Sequence, residues 1–148
     1  MTDIETAKDN LNGHSICLCK NGEYFTDDGG GISPMMRFIE EGCDLSGYSV
    51  ADVIVGKAAA MLFVKAGISE VYGKVMSIAG WDYLRLNNIP CSWDTLTESI
   101  INRKGDDICP MEKTVASIHD AEEGYEALKA KLFTLRKAAN EPTEAIHQ

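Results

Sequence analysis

The chain predicts a three-layer α/β/α sandwich built on a mixed sheet. Three observations carry this. Asn21-Gly22 is a hairpin signal between two short strand-like runs. Further strand-like runs follow at 48–55, 69–76 and 89–93. Stretches of high helix propensity fill the gaps between them and the end of the chain. Strands that alternate with helices imply parallel pairing through crossovers, and a hairpin ahead of them adds antiparallel partners.

Each element has a local reason. Residues 1–12 are polar and predict a frayed segment or a short helix. In Ser15–Lys20, Ile16 and Leu18 share one face and Cys17 and Cys19 the other, and Glu23–Thr26 forms the returning strand. Asp27 to Gly31 reads as a loop. Ser33 is the expected N-cap of a short helix with Pro34 in its first turn and Gly42 past its end. Tyr48–Val55 is a buried strand, Ala58–Lys65 a helix closed by Gly67, and Ser69–Met76 the next strand. Ala79–Asn87 is read as a helix, Ile89–Trp93 as a short strand and Asp94–Ile101 as a helical turn. Residues 102–108 form a loop. Residues 120–139 form an amphipathic helix with Tyr125, Leu128, Leu132 and Leu135 on one face, and the tail after Asn140 is expected to be disordered. No repeat or linker divides the 148 residues, which predict one domain with a core at about 14–118 and a helical extension at about 119–139.

The net charge of −9 argues against nucleic-acid binding and against anionic membrane surfaces, which need clustered Lys and Arg. It leaves room for a small-molecule ligand held by a local cation, and for a homo-oligomer. The apolar stretch Ala58–Val64 is too short to span a bilayer, and the polar, acidic start does not resemble a secretory signal. A cytoplasmic location follows as the expectation, with five reduced cysteines.

Two runs resemble the signatures of a known family: Val50-Ala51-Asp52-Val53-Ile54-Val55-Gly56-Lys57-Ala58-Ala59-Ala60, and Ile101-Asn102-Arg103 through Cys109-Pro110-Met111-Glu112-Lys113. They identify the chain as similar to the domain of unknown function numbered 1893, whose fold resembles that of cytidine deaminases. The resemblance spans about residues 14–118 and implies a fold without implying a reaction. A zinc deaminase needs His or Cys, a spacer and Glu at one helix start, and Pro-Cys-x-x-Cys at the next. Here Gly56-Lys57-Ala58 and Ser77-Ile78-Ala79-Gly80 hold those places, and Pro90-Cys91 is followed by Asp94 where the second Cys would be. No metal or other cofactor is expected.

The candidate catalytic residues are Asp52, Lys57 and Cys109. Asp52 interrupts an apolar strand, where a carboxylate needs a partner, a solvated edge or a role; the bland reading is bonding to backbone. Lys57 follows Gly56 at a strand's carboxyl end and a helix start, suited to an anion or to amine chemistry; the bland reading is a solubilising side chain. Asp52 and Lys57 are expected near enough to interact. Cys109 precedes Pro110 at a helix start that favours thiolate, against the alternative of a small buried residue. Asn102 and Arg103 are candidate ligand readers, with loop-pinning as the alternative, and Glu112 is a helix-start residue before it is a base. Gly56 completes the ligand-binding set.

The function expected is a metal-independent enzyme acting on a small polar or nucleotide-like metabolite. The alternatives are a non-catalytic ligand binder or sensor on the same pocket, and an interaction scaffold using the last helix.

Overall fold

The computed structural model describes residues 1–140. Eleven elements follow in order: α1 (Asp3–Asp9), β1 (Ile16–Lys20), β2 (Glu23–Asp27), α2 (Ser33–Glu40), β3 (Ser49–Val55), α3 (Lys57–Ala66), β4 (Glu70–Ser77), α4 (Ile78–Leu86), β5 (Cys91–Thr97), α5 (Pro110–Val115) and α6 (Ala121–Asn140). The strands form one sheet in the order β2-β1-β3-β4-β5. β1 pairs antiparallel with β2 and β3, while β3, β4 and β5 run parallel. This is the mixed α/β arrangement that the alternation of strands and helices implies. The tail after Asn140, expected to be disordered, lies outside the described residues.

The hairpin between β1 and β2 closes on Asn21 and Gly22, with φ of 54° and 83°. Positive φ at both central residues matches the twist of the flanking strands, and Asn-Gly tolerates it best. Alternation in β1 then divides the core. Ile16 and Leu18 join Val50 and Val71 in the larger cluster, beneath side chains of α2 to α6. Cys17 and Cys19 join Ala51 and Tyr72 on the other face, where Ala7 and Leu11 from the α1 region cover them. α1 is a defined helix rather than a frayed segment, because Thr2 and Glu5 form a reciprocal capping box.

Three local expectations are corrected. Ser33 is the first residue of α2 and not its cap; Ile32 holds that place with no side-chain bond, and Pro34 fixes the first turn. The helix after β4 starts one residue early, because the Ser77 hydroxyl accepts from the Gly80 N–H and caps it. Asp94–Thr97 is strand rather than helical turn. Trp93, Thr95 and Thr97 continue the parallel ladder with β4, and pairing outweighs the turn preference of Asp94.

α6 docks on α3 through a close approach. A Cβ at Gly124 would lie 2.7 Å from the Met61 thioether, so glycine leaves that side chain its place between the two helices. Tyr125 and Leu128 are buried there, Leu132 is partly buried, and Leu135 is more exposed. Among the described residues, no helix is long and apolar enough to cross a membrane.

Candidate functional site

The carboxyl end of β3 and the start of α5 meet. Cys109 is the N-cap of α5, followed by Pro110, Met111 and Glu112 as the first three helical residues. Glu112 does not cap its own helix. Its carboxylate accepts from the backbone N–H groups of Lys57 and Ala58, at 2.8 and 3.0 Å, and so caps α3. Unpaired N–H groups and the helix dipole both favour an anion at that point. Burial pushes the Glu112 carboxyl up; the Ala58 and Lys57 N–H bonds and the Lys57 charge act in the opposite direction.

Two glycines make this junction possible. A Cβ on Gly56 would lie 2.6 Å from the Glu112 carboxyl group, and one on Gly80 would lie 2.9 Å from the Val55 carbonyl oxygen. Neither glycine is required for its backbone angles. Each is required for space.

The Lys57 ammonium donates to the Ala116 carbonyl at 3.1 Å, at the end of α5, and lies 6.0 Å from the centre of the Tyr83 ring. Burial holds its pKa below the usual lysine range, against the attraction of Glu112. Lys57 lines a cavity of about 340 Å³ with Ser77, Tyr83, Glu98 and His119. Asp52 and Cys109 instead line a larger cleft of about 1120 Å³. The expected Asp52–Lys57 centre therefore does not form. The first turn of α3 carries the lysine toward α4 and α5, and Glu112, which borders both cavities, forms part of the wall they share.

Asp52 is 8% exposed, in the middle of the sheet between Ile16 and Gly73. One of its oxygens accepts from the Ile54 N–H at 3.3 Å. Burial raises its pKa to about 7, against the bonding of the Ile54 and Val53 N–H groups. It lies in the cleft together with Gly56, Asn102, Arg103, Cys109 and Glu112, so the predicted residues other than Lys57 share one space.

Their side chains are not equally free. Asn102 pins its own loop: its amide donates to Asp106 at 3.0 Å, and its oxygen accepts from the Gly105 and Asp106 N–H groups. Arg103 instead reaches across toward the glycine loop after β2, where a Cβ on Gly30 would lie 2.8 Å from its Nη2. Cys109 is half-buried, with its thiol free. Sequence reasoning missed the opposite rim. His14 Nδ1 bonds Asp28 Oδ1 at 2.6 Å there, and Leu132 and Leu135 of α6 complete the wall. The signal was the position of His14 just before β1, but only the fold shows that the glycine loop faces it.

The junction also answers whether zinc fits. The starts of α3 and α4 present Lys57 and Ser77, and the α3 N–H groups are already taken by Glu112. Neither start offers His or Cys, so these residues do not make a deaminase zinc site. Among the described residues, no three His, Cys, Asp or Glu gather as a metal cluster elsewhere.

A profile of the domain of unknown function DUF1893 (TM1506) matches residues 7–132. The chain belongs to the DUF1893 family. The two runs on which the resemblance rests lie within that match and supply the β3–α3 junction and the loop and α5 that meet it. The crystal structure of a DUF1893 family protein, TM1506 from Thermotoga maritima, is similar to this DUF1893 chain with a TM-score of 0.74 and 25% identity, covering 80% of each chain. The apo crystal structure of dCMP deaminase from the cyanophage S-TIM5 is similar with a TM-score of 0.41 and 14% identity, covering 53% of this chain and 78% of that one. No curated protein matches.

Proposed function

We propose that the cleft beside Asp52 is the working site of a metal-independent enzyme acting on a small polar or nucleotide-like metabolite. Asp52 is the observation that carries this reading. It is a buried carboxyl group that titrates near neutrality and borders a cleft large enough for a small molecule. A carboxyl poised near working pH can both give and take a proton. Cys109 is the second reactive group on the same cleft, and Arg103 is the positioning group. Lys57 supports the site from the neighbouring cavity by holding α3 to the end of α5.

The test is a metabolite library presented to the full chain, read by thermal shift and by mass spectrometry for conversion. Asp52→Asn should keep binding and lose turnover. Binding without conversion in the unaltered protein would favour a sensor. A library with no thermal shift, or full turnover by Asp52→Asn, would remove the proposal.

A further inference from the structure

We infer that the ligand of this cleft is an anion, a carboxylate or phosphate ester on a compact apolar body, with its charged group held by Arg103 and Lys104. The inference rests on the reading of the cleft as a ligand site and adds the sign and placement of the ligand's charge.

Four carboxylates around the cleft already have protein donors. Three carboxylates on the cleft rim accept from protein donors: Asp28 from His14, Asp106 from Asn102 and Asp107 from Lys113. Glu112 is held by the N–H groups of α3. Arg103 and Lys104 line the same cleft, and among the described residues neither takes part in an ion pair or a side-chain hydrogen bond. Both are exposed and adjacent in the chain, so both charges are open to a ligand that enters the cleft. The guanidinium also lies against Gly30, which has no side chain to cover it. A planar fork left open in this way matches a carboxylate or a phosphate.

The walls describe the rest of the ligand. Ile54, Ile101 and Leu135 are 49%, 51% and 39% exposed around the cleft, a concentration of apolar surface that an apolar ligand body would remove from water. Asp52, nine-tenths buried, supplies a second polar contact in the same cleft.

The experiment is isothermal titration of the full chain with phenyl phosphate, phenylacetate and phenethylamine. The anions should bind and the amine should not; which anion binds better separates a phosphate ligand from a carboxylate. Arg103→Gln should weaken the anions by about tenfold or more, Arg103→Lys by less, with no change in melting temperature. Anion affinity unchanged in Arg103→Gln would overturn the inference. So would amine binding as tight as the anions, and if that binding also responds to Asp52→Asn, the cleft remains a ligand site and only the anion is lost. Silence from these probes and from the metabolite library together would remove both readings.

Discussion

Glu112 caps the helix that Lys57 begins, although 55 residues separate them in the chain. A side chain from one signature run thereby completes the backbone bonding of the other. The two stretches form one structural unit, and the Glu112 carboxylate and the Lys57 ammonium, bonded to Ala116, both fasten α5 to the end of the parallel sheet.

That bond has a measurable worth. Glu112→Ala leaves two helix-start N–H groups without their acceptor and should cost about 2–3 kcal/mol. Glu112→Gln, which keeps one oxygen but sets an amide donor against an N–H, should fall between. Urea denaturation reads both. An alanine variant as stable as the natural chain would show that water replaces the carboxylate at no cost.

Gly56 and Glu112 should be coupled. Gly56→Ala places a methyl group 2.6 Å from the Glu112 carboxyl and forces it off the N–H groups. In the Glu112→Ala background the same methyl has room, so its cost should largely vanish, giving a coupling energy of about 1 kcal/mol or more in a double-mutant cycle. Gly80→Ala is the contrast. It meets the backbone of Val55 and Gly56, so its cost should persist in both backgrounds.

Asp52 should make stability depend on pH in a defined direction. Its folded pKa of about 7 lies above the ordinary value of 3.8, so folding takes up a proton between those values. Its favourable contribution is complete below the unfolded pKa and is lost as pH rises through the folded one. The natural chain should therefore weaken from pH 4 to 8 relative to Asp52→Asn, by up to about 4 kcal/mol. Parallel pH profiles for the two proteins, from denaturation at each pH, would contradict this.

The cysteines should react in an order set by place. Cys17 and Cys19 are fully buried against α1, and burial raises both thiols, Cys17 to about 11. Cys43 is exposed and Cys109 lines the cleft. Iodoacetamide should modify Cys43 and Cys109 in the folded protein and reach Cys17 and Cys19 only on unfolding. A cleft ligand should then protect Cys109 and leave Cys43 unaffected. Peptide mass spectrometry reads each site, and equal protection of both would place the ligand elsewhere.

What could be read from the residues alone was whatever depends on neighbours along the chain. Asn21-Gly22 announced its turn because positive φ is a local requirement. Alternation in β1 announced two buried faces, and Pro110 with Glu112 announced a helix start. The local signals failed where long-range pairing outweighed them. β5 runs on through Asp94 to Thr97 because β4 supplies a ladder that no propensity anticipates. The site divided in the same way. The residue types at Asp52, Arg103 and Cys109 made them candidates, but the sequence could not say which of them would share a space. Packing decided that: the first turn of α3 carried Lys57 into a different cavity, and the carboxylate of Glu112 turned to α3 rather than to its own helix. A side chain's direction at an element's end depends on what packs against it, and that partner lay 55 residues away.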